Sequence, residues 1–114
     1  MPSAAHGLFL TAMREKKQLV CTYQGHVREC CPILLGRNGL DEKALVFQFG
    51  GSTSSGPVRP PGGWKCLRLA GVENIRLRDG PWHAGAAHST DQTCMKMVEY
   101  DVNPLSPYHP VFRL

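Results

Sequence analysis

Two apolar segments on either side of a glycine- and serine-rich loop constrain this chain more than any other feature. Residues 44–49 and residues 64–69 each place apolar side chains at every second position, which is typical of half-buried strands. The loop between them, residues 50–63, contains five Gly, three Pro and three Ser and has no apolar periodicity. The sequence therefore predicts two neighbouring strands with a loop at the rim of the sheet. The core positions predicted on these strands are Leu45, Phe47, Leu67 and Leu69.

The composition is that of a single globular domain. The chain has 114 residues, of which 42% are hydrophobic and 19% charged, values that disordered chains do not have. Its net charge of +4 permits contact with nucleic acid or another anion, although many proteins with no such partner have a similar charge. No export signal and no membrane-spanning apolar run are visible. The five cysteines include no C-x-x-C pair, so we expect free thiols and a cytoplasmic location.

The order of elements along the chain predicts one helix followed by strands. An apolar stripe at helical spacing predicts a helix over residues 4–17, with Ser3 as its N-cap. Strands are expected over residues 18–24 and 27–35, with a bend at Pro32 and a turn at residues 36–39. A last strand is expected over residues 94–102. We assign residues 1–103 to one domain and residues 104–114 to a proline-rich, extended tail. The helical stripe consists of Ala5, Leu8, Phe9, Ala12 and Met13.

The order of short segments along the chain matches a known pattern: Arg14–Lys17, Thr22–Tyr23, Pro32, Ala44–Phe49, Gly63–Leu69 and Ile75. These segments resemble the WYL domain, a Sm-like or SH3-like β-barrel of bacterial regulators and defence-associated proteins. The likeness covers about residues 5–79 and is greatest to short, stand-alone members with a Gly/Ser-rich loop. The chain departs from the family in having Ala44-Leu45-Val46 near the Trp-Tyr-Leu position and in lacking a helix-turn-helix domain. The resemblance implies a mainly β (α+β) fold, a small antiparallel SH3-like/Sm-like barrel with an N-terminal helix, which binds ligands or nucleic acid.

The loop has part of a phosphate-binding pattern. Gly51 and Gly56 enclose four residues, as in G-x-x-x-x-G-K-[ST], but Pro57 and Val58 stand where the lysine and the metal-binding hydroxyl should be. This departure excludes a nucleotide hydrolase of that type. Backbone N–H groups and serine hydroxyls of the loop remain able to hold an anion. The alternative is a plain flexible hairpin loop.

An aromatic side chain beside cations predicts a binding surface next to the loop. Trp64 with Lys65 and Arg68 is a combination that can stack a base and neutralise a phosphate. Alternation along the strand, however, puts Lys65 and Arg68 on opposite faces unless a bulge intervenes. The alternative is that Trp64 closes the end of the barrel and the cations are solvated. The predicted ligand-binding residues are Tyr23, Gln48, Ser52, Ser54, Ser55, Trp64, Lys65 and Arg68.

Metal binding and catalysis have little support in the sequence. The available ligands lack the short paired spacing of zinc sites. Cys94 with His88 is compositionally possible as a nucleophile and base, but no motif surrounds them. We expect no catalytic residue, no metal and no cofactor. The residues weighed as metal ligands were Cys30, Cys31, His83, His88 and Cys94.

Two functions follow from these observations. The first is a non-catalytic regulatory module that binds an anionic ligand, a nucleotide or nucleic acid. The second is a protein-interaction module that self-associates through a sheet edge or through the tail, with its P-x-x-P spacing at Pro104, Pro107 and Pro110. Neither predicts contact with a membrane.

Overall fold

A computed structural model describes residues 3–83, 94–102 and 110–114 of the chain. One helix, α1 (Ala4–Glu15), precedes eight strands, and a short 3-10 helix (Leu69–Gly71) separates the fifth strand from the sixth. The strands are β1 (Gln18–Tyr23), β2 (His26–Asn38), β3 (Asp41–Thr53), β4 (Gly56–Pro57), β5 (Gly63–Arg68), β6 (Val72–Arg78), β7 (Met97–Asp101) and β8 (Phe112–Arg113).

The long central strands β2 and β3 organise the sheet. The order is β4-β3-β2-β1-β6, with β5 paired to β3 and β7 paired to β2. These ladders are antiparallel, and β8 joins β7 in parallel. The expectation of a mainly β fold with one N-terminal helix is thereby confirmed. Among the described residues no ladder joins β6 to β5 or β4, so the sheet is open, and closure into a barrel stays a prediction.

Helix α1 forms as the sequence predicts, but it ends earlier and buries a different set of side chains. The Ser3 side chain accepts a hydrogen bond from the His6 N–H (3.1 Å), which confirms the N-cap. Lys16 adopts a left-handed conformation (φ 53°) and ends the helix, whereas we predicted residue 17. His6 is buried on the core side, while Leu8 is 39% exposed. The stripe is therefore shifted slightly around the helix axis.

Strands β2 and β3 are longer than predicted because the turn between them is tighter. Each strand has 13 residues, and the turn uses only Gly39, with φ +60°, and Leu40. The register of β2 on β3 shifts between Pro32 and Leu34, which confirms the expected irregularity at the proline.

The sheet packs a core on each face. The first cluster includes the buried apolar side chains of α1, and the second includes Val98 of β7 and the residues just before it. The four predicted core positions, Leu45, Phe47, Leu67 and Leu69, are all buried, as expected. The first cluster is formed by Phe9, Ala12, Met13, Leu19, Cys21, Cys30, Leu35, Ala44, Val46, Leu67 and Leu69. The second is formed by Ile33, Leu34, Leu45, Cys94, Met95 and Val98.

A disulfide contradicts the expectation of five free thiols. Cys66 on β5 is bonded to Cys94, which precedes β7, with their Cα atoms 5.5 Å apart. The two residues are 28 positions apart in sequence, a separation that gave no sign of the pairing. The other three cysteines, Cys21, Cys30 and Cys31, are free and buried.

The end of the chain lies on the sheet of its own domain. The Leu114 N–H donates to the Asp101 carbonyl (2.9 Å), and the Phe112 ring stacks on Tyr100 with centroids 5.0 Å apart. The prolines at 104 and 107 and the neighbouring Tyr108 lie outside the described residues. In the part of the chain that the structure describes, no helix is long and apolar enough to cross a membrane.

Candidate hairpin groove

The predicted loop is largely a β-hairpin. Strand β3 continues to Thr53, a turn follows at Ser54 and Ser55, and β4 returns along β3. The Thr53 hydroxyl accepts a hydrogen bond from the Ser55 N–H (3.1 Å) and donates one to the Gly56 carbonyl (3.3 Å). Gly56 has φ +112°, a region that L side chains rarely adopt, which explains a glycine at this turn. The predicted loop of residues 50–63 is therefore shorter in the structure, because residues 50–57 form strand and turn.

A groove of about 230 Å³ lies between this hairpin and the start of β5. Its two cationic side chains are Lys65 and Arg59, and none of the described residues that line it carries a carboxylate. Hydroxyl groups come from Thr53 and Ser55, and the remaining lining is glycine, proline and valine. The complete lining is Thr53, Ser55, Gly56, Pro57, Val58, Arg59, Gly62, Gly63 and Lys65. Such a surface attracts anions, because nothing in its wall neutralises the two positive charges.

Strand alternation places Lys65 at this groove. Lys65 is opposite Val46 on β3 and on the same face of β5 as Leu67, which belongs to the first core cluster. Its side chain is half-buried, and the residue is one of those that line the groove.

Gly62 brings the chain close to β3 on the way to β5. Its φ is +114°, and a Cβ there would lie 2.3 Å from the carbonyl oxygen of Gln48. Only glycine permits this approach, and the approach forms one wall of the groove.

Gln48 is fully buried beneath the hairpin. Its Nε2 donates to the carbonyls of Gly50 (3.0 Å) and Ser52 (3.2 Å), and its Oε1 accepts from Nη1 of Arg28 (3.3 Å). The Gln48 amide thus connects the irregular end of β3 to the buried side chain of Arg28. In this position Gln48 supports the hairpin from within and does not line the groove.

Arg28 is a buried cation that the sequence analysis missed. It is 4% exposed, its guanidinium carbon lies 5.1 Å from the centroid of the Tyr23 ring, and its Nε has no hydrogen-bond partner among the described residues. A signal was present, since Arg28 is two residues from Cys30 and thus on the same face of β2 as the core. Arg59, in the loop after β4, was likewise overlooked.

Tyr23 and Arg68 are brought together away from the groove. The Tyr23 hydroxyl accepts a hydrogen bond from the Arg68 backbone N–H (3.2 Å), which ties the end of β1 to the end of β5. The Arg68 side chain points elsewhere, and its Nε lies 3.2 Å from an Asp41 carboxylate oxygen. A carboxylate partner leaves this arginine less able to hold a separate anion.

Trp64 lies on the opposite face of β5 from Lys65. Its ring meets Phe47 edge to face, with centroids 5.3 Å apart and planes at 73°, and it packs on the second core cluster. This arrangement agrees with the alternative in which the indole is part of the packing. A base stacked on Trp64 would be on the wrong side of the sheet to reach the groove.

The predicted serines have different surroundings. The Ser52 hydroxyl lies 3.3 Å from Nδ1 of His26, and Ser54 is exposed at the tip of the hairpin. Ser55 and Lys65 are thus the two predicted residues that share the groove, and the other six lie around it or inside the domain.

Two of the free thiols, Cys21 and Cys30, lie together beside Arg28, and the third, Cys31, lies against His83. A hydrogen bond from the Cys30 thiol, with a smaller contribution from the Arg28 charge, lowers the pKa of Cys21. The same hydrogen bond and burial raise the pKa of Cys30. Burial also raises the pKa of Cys31, whose sulfur accepts from the His83 N–H (3.3 Å). These thiols belong to the interior, where they pack as small apolar groups.

The described residues hold no group of three or more His, Cys, Asp or Glu side chains arranged to bind a metal ion. Of the residues weighed for metal binding or nucleophilic attack, Cys94 is bonded to Cys66, and His88 lies outside the described ranges.

Comparisons with models of known protein families, with curated proteins and with solved structures find no match for this chain.

Proposed function

We propose that the protein is a non-catalytic regulatory module of WYL type that binds an anionic ligand, a nucleotide or nucleic acid in the hairpin groove. The observation that carries this proposal is that Lys65 and Arg59 both line a groove in which the described lining residues include no carboxylate. The proposed site retains two of the predicted residues, Ser55 and Lys65, and adds Arg59 and Thr53.

The groove suits anion binding for two physical reasons. Lys65 is half-buried, so its charge is less screened by water than that of a fully exposed lysine. The hairpin is held by the hydrogen bonds of Thr53 and by the amide of Gln48, so little ordering is needed when a ligand binds.

The same proposal includes the SH3-like/Sm-like barrel. The short 3-10 helix between β5 and β6 and the return of β6 to β1 support it, because they carry the chain from one side of the sheet to the other.

We also propose a cytoplasmic location, which the free thiols Cys21, Cys30 and Cys31 support. The disulfide favours an oxidising compartment instead, and the redox state of Cys66 in cells distinguishes the two.

The test is the binding of a labelled single-stranded oligonucleotide with a 5′-phosphate, followed by fluorescence anisotropy between about 50 and 200 mM salt. We expect affinity to fall with salt, and Lys65→Gln or Arg59→Gln to weaken binding about tenfold, since each removes a charge-assisted contact. Arg76→Gln is the matched control, because it removes the same charge from an exposed position on β6. Equal affinity of all four proteins would refute the groove as the binding site.

Self-association is the second candidate, and exposed apolar side chains near β8 favour it. Met97, Val111 and Phe112 are 52%, 64% and 53% exposed beside a sheet edge. Sedimentation over a range of concentrations, with Val111→Asp compared with Leu40→Asp in the β2–β3 turn, tests it. A wild-type chain that stays monomeric throughout ends this alternative.

A further inference from the structure

We infer that the hairpin groove holds the dianionic phosphate of a phosphomonoester and leaves the rest of that ligand outside. The inference rests on the proposed function, because it takes the groove to be the anion site. It goes further by excluding two kinds of ligand that the proposed function allows, namely an internal phosphodiester and a base-specific nucleotide.

Charge balance favours a dianion. Within the described ranges of the chain, the lining contains two cations, Lys65 and Arg59, and no carboxylate. A phosphomonoester carries a charge of about −1.5 to −2 at neutral pH, whereas an internal phosphodiester carries a single negative charge. The dianion therefore neutralises both side chains, while a diester leaves one positive charge uncompensated in the groove.

The donors match the same group. Lys65 supplies an ammonium, Arg59 supplies a planar fork of N–H groups, and Ser55 supplies a hydroxyl. A phosphomonoester has three terminal oxygens, which matches this number of donor groups. The space beside the hairpin backbone is open, since a Cβ on Gly56 or Gly63 would meet no atom within 4 Å.

The size and lining of the groove exclude recognition of a base. Its volume of about 230 Å³ is below the range of about 300–1,000 Å³ of pockets that enclose a drug-sized ligand. The lining residues that the structure describes include no aromatic side chain, so they offer a base no ring on which to stack. Trp64 faces the second core cluster and does not supply one.

The experiment measures dissociation constants calorimetrically for ribose 5-phosphate, AMP, UMP, 3′,5′-cyclic AMP and adenosine. We expect the three monophosphates to bind within about threefold of one another, and cyclic AMP to bind about tenfold or more weakly, since it lacks the second charge. Adenosine should not bind. Affinity for ribose 5-phosphate should fall below about pH 6, where the phosphate takes up a proton.

Two further arms identify the source of the phosphate and the groove itself. An oligonucleotide with a 5′-phosphate that binds more tightly than its 5′-hydroxyl form indicates a strand end, and equal binding indicates a free sugar phosphate or nucleotide. Lys65→Gln should weaken ribose 5-phosphate about tenfold, and Arg76→Gln should change it less than about twofold.

Failure of this inference is distinguishable from failure of the proposed function. Cyclic AMP binding as tightly as AMP, or AMP and UMP differing more than about tenfold, would overturn the inference alone. So would oligonucleotide binding that depends on Lys65 without any binding of monophosphates. Absence of binding by every anion would overturn both.

Discussion

Replacing Gln48 with leucine tests whether the hairpin is held from inside the domain. The side chain is fully buried and makes three hydrogen bonds, one to Arg28 and two to the carbonyls of Gly50 and Ser52. Leucine has a similar volume but can make none of them. The substitution therefore removes polar contacts with little change in packing volume.

The expected loss of stability follows from those bonds. At about 1 kcal/mol each the three hydrogen bonds contribute about 3 kcal/mol, and the added apolar burial of leucine returns about 1 kcal/mol. We expect Gln48→Leu to lower the free energy of unfolding by about 2 kcal/mol, which corresponds to a fall in Tm of about 8 °C. The lost hydrogen bond to the Arg28 guanidinium accounts for most of this destabilisation, because Arg28 is 4% exposed and water cannot easily replace the lost acceptor.

Urea unfolding followed by tryptophan fluorescence measures this loss. Gln24→Leu is the matched control, since Gln24 is exposed in the β1–β2 turn and its replacement should change stability by less than about 0.5 kcal/mol. If Gln48→Leu is as stable as Gln24→Leu, with an unchanged urea dependence, the buried amide does not hold the hairpin and the reasoning fails.

Three other perturbations test further features of the fold. Cys66→Ser opens a loop closed over 28 residues and should cost about 3.6 kcal/mol in a chain-entropy account, and a dithiol reductant should lower the Tm of the wild type but not of the variant. Gly62→Ala should destabilise by about 2 kcal/mol or more by thermal unfolding, because its Cβ meets the Gln48 carbonyl at 2.3 Å, whereas Gly63→Ala, with no atom within 4 Å, should be nearly neutral. The raised pKa of Cys31 gives stability that is complete below the ordinary thiol pKa of about 8.5 and lost as pH rises through the folded value. Cys31→Ala should therefore unfold with a weaker pH dependence above about pH 8.5; an unchanged slope would contradict the assignment.

Periodicity was sufficient to predict the buried positions of those elements whose two faces differ clearly in hydrophobicity. Leu45, Phe47 and Leu67 alternate with other residues at a period of two, and all three are buried as predicted. The N-cap at Ser3 was equally readable, because a serine before an apolar helical stripe has one common use. Strand ends were less readable, since Gly36 and Asn38 look like turn residues yet continue β2.

The site was harder to predict because its members depend on pairing between distant strands. Gln48 looks like an ordinary polar position on a strand. Its burial, however, depends on a hydrogen bond from Arg28, twenty residues earlier, and on one to the Gly50 carbonyl further along β3. The disulfide partner of Cys66 depends on where β7 docks on β2, which no local pattern reveals. Lys65 was identified as a cation next to Trp64, and alternation along β5 then separates it from Trp64 and Arg68, which lie on the other face.

Gln48 also connects the interior to the groove, and this connection makes a last prediction. Its amide donates to the Gly50 and Ser52 carbonyls, just before the turn that follows Thr53, and its hydrogen bonds among the described residues go to these and to Arg28, not to Lys65 or Arg59. If the groove is preorganised by this amide, Gln48→Leu should weaken ribose 5-phosphate binding about threefold or more at a temperature where the variant remains folded. The salt dependence should stay unchanged, because both cations are still present. Gln24→Leu should bind like the wild type. Binding by Gln48→Leu equal to that of Gln24→Leu would mean that the two charges act without a fixed hairpin, and that the groove takes its shape only when an anion arrives.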